Sequence, residues 1–260
     1  MIPEFDAYIF DLDGTVYLGE ALLPHAGETI ATLRARGRRT VFLSNNPANT
    51  RDAYAAKLTR LGVPTPPEDI INSSAVMVDF LRRTLPGARL YVAGEGPLCG
   101  ELRAAGFTFS ERAGEIDAVI ASFDRTFHYG KLQIAFDAIR AGARFFATNG
   151  DRYCPVPGGG QPDAAAVIAA IEACTATHVE AIVGKPSAHM IAAVLARLEL
   201  PPERCLITGD RLETDVQLGL NAGMASALTL TGATRAEEAA ASPTRPTYIV
   251  RDLGELLTQQ

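Results

Sequence analysis

Cysteine is scarce in this chain of 260 residues: Cys99, Cys154, Cys174 and Cys205, widely separated. No two of them have zinc-finger or redox-motif spacing, so reduced, buried thiols in a cytoplasmic protein are the expectation. Long apolar runs are also missing. None approaches the roughly 20 residues that a membrane helix needs, and no basic stretch leads into an apolar one near the N-terminus, so neither a membrane span nor a signal peptide is expected. Positive charge is outnumbered, 24 Lys and Arg against 30 Asp and Glu, for a formal charge of −6. That balance argues against a nucleic acid polymer or an anionic membrane as the main partner. It does not exclude a small anionic ligand, which local charge decides. No repeat or low-complexity segment stands out, and the Ala/Glu-rich stretch 236–241 is too short to count as one.

What is present reads as an ordinary globular protein, 47% hydrophobic and 21% charged. The length allows one large domain or two modest ones, with enough core to need no staples. Short apolar runs alternate with longer amphipathic ones. Residues 7–10 read as a buried strand, 27–36 as a helix stopped by Gly37, and 39–43 as a second strand. Residues 50–61 form the next helix, with Asn49 or Thr50 as N-cap and Gly62 past its end, and 74–83 a third, closed by Pro86-Gly87. Towards the C-terminus, strands are expected at 181–183, 205–208, 225–230 and 248–250, and helices at 187–198 and 213–222, the latter ended by Gly223; Asp252 caps a last short helix. The order implies a Rossmann-like, doubly wound α/β core with a parallel sheet. Residues 89–180 carry a β-α-β-α pattern of their own (89–92, 98–105, 118–121, 131–141, 144–147, 163–173) and read as an inserted second domain. The expected boundaries are 1–86 and 181–260 for the core and 87–180 for the insertion.

The chemistry begins at "YIFDLDGTVYLGE", where an apolar strand runs into Asp11 and Asp13. Asp-Gly between apolar runs is a common hairpin turn, and the later ligands of an EF-hand are absent. Three other segments point elsewhere. "FLSNN" puts Ser44, Asn45 and Asn46 after the second strand; "IVGKPS" puts Lys185 between a strand and a helix; "LITGDRLETD" puts Asp210 and Asp215 after another strand. In an open parallel sheet, ligands bind beyond the carboxyl ends of the strands. Asp11, Asp13 and Asp210 could not all stay ionised in one crevice without a cation. Hard oxygen donors without His or Cys suit Mg²⁺, which binds through one or two carboxylates plus a phosphate. Ser44, the N–H groups after it and Lys185 suit an anion. A metal and a lysine around one pocket fit phosphoryl transfer. Asp11 would then be the nucleophile, giving an aspartyl-phosphate. Asp13 would protonate the leaving oxygen and later deprotonate water. Gly14 lets the chain turn so that backbone groups face the ligand.

"DLDGT", "LSNN", "GKPS" and "GDRLETD", in this order, resemble the four motifs of haloacid dehalogenase-like (HAD) phosphatases. The insertion between the second and third resembles the large α/β cap (C2 type) of subclass IIA, and "YVAGEGPLCGELRAAGF", "ARFFATNGD" and "RPTYIV" resemble its NagD-type members. The resemblance covers nearly the whole chain. It implies a Mg²⁺-dependent phosphatase acting on small phosphorylated metabolites: nucleoside monophosphates, pyridoxal phosphate, glycerol phosphate, phosphoglycolate, sugar phosphates and the test substrate 4-nitrophenyl phosphate. It also implies that the Asp11 side chain, the Asp13 carbonyl and Asp210 hold Mg²⁺. Ser44, Asn45 and Asn46 would hold the phosphoryl group and Lys185 would offset its charge. Thr15 and Asp215 would lie behind these groups, or Asp215 would orient Lys185. Asp13 argues against dehalogenase chemistry, which has no leaving alkoxide to protonate.

One stretch departs from the pattern. Where relatives carry a "PGAG"-like turn in the cap, this chain has "ATNGDRYCPVPGGGQPDAAA", with Gln161-Pro162-Asp163 in place of small residues. The cap forms the substrate pocket in this subclass, so the departure bears on substrate choice. Asn149 and Asp151 are either pocket residues or a turn with an Asp cap. "GEGPLCG" is a poor dinucleotide fingerprint, because its third glycine is out of place at Gly100. His128, His178 and His189 read as surface or helix-face residues and His25 as a loop residue. A phosphomutase or phosphotransferase with the same intermediate is the alternative enzyme, and a non-catalytic phosphometabolite-binding protein is the alternative of another class. The cap is compatible with a homodimer.

Overall fold

Ala7–Asp11 is a strand buried along its whole length, as its unbroken apolar run requires of a strand covered on both faces. It is central in a six-stranded sheet of order Tyr248–Val250, Ala225–Thr229, Cys205–Gly209, Ala7–Asp11, Arg39–Ser44, Ile70–Asn72. The pairs among the first five are parallel. The structure, a computed structural model, describes residues 2–156 and 159–257. These fall into two compact units: residues 2–44, 51–71 and 185–257, which carry this sheet, and residues 45–50, 72–156 and 159–184.

In the first unit, alternate residues serve opposite faces. Tyr8, Phe10, Phe42 and Leu206 pack with Ile30 and Leu33 of the helix Ala26–Ala35 and with Tyr54, Ala55 and Leu58 of Arg51–Arg60. The other face meets the helix Gln217–Ala222, where a Cβ on Gly219 would lie 2.8 Å from Ile207 Cγ2. Helices on both faces make this core doubly wound. The parallel register aligns Asp11 with Leu43, so Asp11, Ser44 and Asp210 all fall at carboxyl ends of strands. The helix expected over 213–222 begins late. Leu212–Val216 is a π-turn, in which Asp215 and Val216 N–H both turn back to the Arg211 carbonyl. The three-residue strand Ile70–Asn72 is too short to have carried a sequence signal.

The second unit is a five-stranded parallel sheet of order Ala181–Ile182, Arg144–Ala147, Ala118–Ala121, Arg89–Ala93, Thr108–Phe109. Tyr91, Val119 and Phe145 pack with Ala135, Ala138 and Ile139 of the helix Tyr129–Arg140 and with Val167, Ile168 and Ile171 of Ala164–Thr175. The helix Ser73–Thr84 belongs to this unit, with Phe80 edge-on against Phe146 at 5.0 Å between centroids. His128 caps Tyr129–Arg140, its Nδ1 accepting from Gly130 N–H at 3.1 Å. The unusual stretch pairs Tyr153–Val156 with Gly159–Pro162 as an antiparallel ribbon, with Gly158 outside the described residues. A Cβ on Gly160 would lie 2.8 Å from the Tyr153 ring, so the glycine lets that ring lie across the ribbon.

Candidate active site

Lys185 organises the first unit's polar cluster. Its buried ammonium donates to Asp11 Oδ1 at 2.5 Å and to Asp215 Oδ1 at 2.6 Å. Asp215 is fixed in turn, its Oδ2 accepting from Arg211 N–H at 3.1 Å. Asp210 follows the strand Cys205–Gly209; its Oδ2 accepts from Ala233 N–H at 2.6 Å, while its buried Oδ1 has no partner among the described residues. Carboxylate oxygens of Asp11, Asp210 and Asp215 lie within 4.8 Å of one another.

Burial pushes the Asp11 carboxyl well above its ordinary range; Lys185 opposes this, and the charges of Asp215 and Asp210 add to it. Burial, with Asp215 beside it, pushes Asp210 up to about 6. Burial works against the charge on Lys185, yet Asp11 and Asp215 together hold its pKa above that of an ordinary lysine. Three carboxyl groups are thus crowded near a single ammonium, too few positive charges for all of them to ionise. With only hard oxygens converging, and one of them orphaned, the set fits a divalent cation. Asp13 is raised mainly by burial, with Lys57, Lys185 and Arg211 opposing. A carboxyl whose charged form burial disfavours is suited to donating a proton.

Glycines make this crowding possible. Gly14 has φ +89°, and its N–H donates to the Tyr17 carbonyl at 2.8 Å, which turns the chain just after Asp13. A Cβ there would lie 2.5 Å from Asp210 Oδ2; one on Gly232 would overlap the Asp210 side chain, and one on Gly209 that of Asp215. Thr231 Oγ1 donates to the Gly14 carbonyl at 2.6 Å, which ties the Asp13-Gly14 turn to the segment carrying Ala233 N–H. The sequence reading missed Thr231, Gly232 and Ala233. Their signal was a "TGAT" just beyond the expected strand 225–230. Thr15 Oγ1 is buried without a partner among the described residues. Ser44, at the end of its strand, donates to Tyr54 Oη at 3.2 Å.

In the second unit, Asn45 Nδ2 donates to Asp151 Oδ1 at 3.2 Å, and the Asn45 carbonyl accepts from Ser73 Oγ at 2.6 Å. Asn46 Oδ1 accepts from Ala48 N–H at 2.8 Å. Asn149 is wholly buried; it donates to Asp163 at 3.0 Å and Asp151 at 3.3 Å, and its Oδ1 accepts from Thr148 Oγ1 at 2.8 Å. Asp163 in turn caps Ala164–Thr175. The structure therefore gathers Asp11, Lys185, Asp210 and Asp215 in one cluster and ties Asn45, Asn149 and Asp151 into another.

Residues 8–108 match the family profile of haloacid dehalogenase-like hydrolases, and residues 182–256 match a second, HAD-hydrolase-like profile. The chain belongs to the haloacid dehalogenase-like hydrolases. This hydrolase is 40% identical to the sugar-phosphatase AraL of Bacillus subtilis (strain 168), over 88% of its own length and 85% of that protein's. Its structure is similar to 4-nitrophenylphosphatase from Thermotoga maritima, with TM-score 0.92 and 35% identity over 97% of this chain and 96% of that one. It is also similar to NagD from E. coli K-12, with TM-score 0.88 and 31% identity over 99% of both chains. The four motifs of the hydrolase thus sit on a NagD-type fold. Among the described residues, no helix is long and apolar enough to cross a membrane.

Proposed function

We propose that this hydrolase is a Mg²⁺-dependent phosphatase of small phosphate monoesters, sugar phosphates foremost, working through an aspartyl-phosphate on Asp11. The observation that carries the reading is the buried Lys185–Asp11 contact beside the orphaned Asp210 Oδ1. The sugar-phosphatase name of one relative and the 4-nitrophenylphosphatase name of a structural neighbour support the substrate class. Asp11, Asp210 and the Asp13 carbonyl would hold Mg²⁺, which supplies charge neutralisation for a dianionic phosphoryl group. Lys185 opposes the effect of burial on the Asp11 charge and holds the carboxylate in one orientation. An Asp11 oxygen attacks phosphorus, and the bond from phosphorus to the ester oxygen breaks. The Asp13 carboxyl gives its proton to that leaving oxygen. Asp13, now ionised, takes a proton from water as the water oxygen attacks phosphorus; the bond to Asp11 breaks and inorganic phosphate leaves. Ser44, with Asn45 and Asn46, is assigned to the phosphoryl oxygens.

Every residue given to bond making lies in the first unit. The phosphoryl group is common to all candidate esters, so we assign discrimination between them to the second unit, with Gln161 and Asp151 as its candidate residues. A cytoplasmic location and a homodimer through this unit belong to the same reading. The test is phosphate release from 4-nitrophenyl phosphate and a panel of sugar phosphates, with Mg²⁺ and after chelation. Mg²⁺-dependent release is expected. Binding of phosphate esters without release would overturn the reading in favour of a binding protein, and transfer to a second alcohol in favour of a phosphotransferase.

A further inference from the structure

Away from the carboxylate cluster, the amino end of the core sheet holds an arginine-rich cavity of about 270 Å³, lined in part by Arg34, Arg38, Arg39, Thr40, Asp69 and Arg197. Arg39 opens the strand whose last residue is Ser44; at about 3.3 Å per residue the two ends lie roughly 16 Å apart. Most of the guanidinium contacts here are to neutral oxygens. Arg34 donates to Thr40 Oγ1 at 2.8 Å and to the Pro64 carbonyl at 2.6 Å, and Arg39 donates to the Leu198 and Arg197 carbonyls. Among the described residues neither is paired with a carboxylate. Arg197 has Asp69 at 2.5 Å, and Arg38 has Asp6 at 3.0 Å and Glu4. Donors remain: among the described residues no hydrogen bond engages Arg34 Nη2, Arg39 Nε or Arg197 Nη1.

We propose that this cavity binds a small phosphate-bearing anion. Open N–H groups from three guanidiniums around one space suit an oxyanion, whose oxygens accept several hydrogen bonds at once. The four guanidiniums outnumber the carboxylates Asp69, Asp6 and Glu4 beside them, which favours an anion. The volume lies just under the range of drug-sized pockets, which suits inorganic phosphate or a small phosphate monoester. The inference is independent of the assigned catalytic roles, because it uses none of those residues.

The test uses the full chain carrying Asp11→Asn, labelled with ¹⁵N and titrated separately with inorganic phosphate, glycerol phosphate and chloride at matched ionic strength. The readout is the arginine Nε–Hε signals, with that of Arg38 identified by its loss in Arg38→Lys. The Arg38 signal is expected to move saturably with phosphate, ester or both, and not with chloride. Half-saturation should rise at least tenfold in Arg39→Ala and in Arg34→Gln, with near-ultraviolet circular dichroism reporting that each variant is folded. A lower half-saturation for the ester identifies a phosphorylated metabolite as occupant, and a lower one for the free ion identifies phosphate. No saturable shift, a shift that chloride reproduces, or an unchanged half-saturation in both folded variants overturns the proposal and leaves these guanidiniums as clamps on neighbouring carbonyls.

Discussion

Lys185 and Asp215, thirty positions apart in the chain, meet at 2.6 Å, and both are almost wholly buried. Asp215 thus fixes the far side of the ammonium that Asp11 needs on the near side. Removing the ammonium leaves two buried carboxylates without their cation. Lys185→Ala should cost about 3–5 kcal/mol of stability in metal-free protein, in line with other broken buried pairs, and should abolish phosphate release. Urea denaturation with chelator and a phosphate-release assay check the two effects separately. A variant as stable as the parent would show that Lys185 does not hold the cluster together.

Asp11→Asn should separate chemistry from folding. The amide keeps the shape but not the charge, and burial already disfavours that charge. Turnover should fall by at least about 1,000-fold, as when a residue making a bond to substrate is lost, while melting temperature without metal holds or rises. Near-normal phosphate release by the folded variant would remove Asp11 from the role of nucleophile.

Gly232→Ala should act on the metal through Asp210. The added Cβ would overlap the Asp210 side chain, including the Oδ2 that Ala233 N–H fixes. Losing such support for a ligating group commonly costs 10–100-fold in metal affinity. A Mg²⁺ titration of activity should show that shift, with maximal rate largely restored at high Mg²⁺. An unchanged Mg²⁺ requirement would mean that Asp210 does not set metal affinity.

Asp210 also sets an expected pH dependence. Its carboxyl, pushed up to about 6 in the metal-free protein, must lose its proton to bind a cation. Mg²⁺ affinity should therefore weaken as pH falls through about 6, which calorimetry between pH 5 and pH 8 would show. For metal-free stability the sign is reversed. A carboxyl raised above its unfolded value of about 3.9 contributes stability that is full below that value and lost as pH rises through 6.

Asn149 and Gln161 should behave differently. Asn149 is wholly buried and bonded to Asp151 and Asp163, so Asn149→Ala strands those groups and should cost about 1–3 kcal/mol. Gln161 lies half-buried on the ribbon paired with Cys154. Gln161→Ala should leave stability within about 0.5 kcal/mol while altering the order of kcat/KM across sugar phosphates. An unchanged order would remove Gln161 from substrate selection.

The amino-acid sequence by itself determined the strand at residues 7–10, the helices closed by Gly37, Gly62 and Gly223, and the alternation that makes a parallel sheet. Apolar runs and glycine stops are local signals, and burial on both faces writes them strongly. Asp11, Lys185 and Asp210, which the structure gathers in one cluster, could be picked out as candidates because each directly follows such a run or lies between a strand and a helix. Only the tertiary structure decided the rest. The ribbon Tyr153–Val156 with Gly159–Pro162 depends on a glycine under a tyrosine ring, and the π-turn at Leu212–Val216 depends on where the Arg211 carbonyl points. The motif resemblance already offered Asp215 as a partner for Lys185, but nothing local says that Ala233 N–H anchors Asp210 or that Asn149 belongs to a buried network. Those contacts join residues from different strand ends, and the sheet order and register that bring them together are set by packing of the whole core rather than by any one segment.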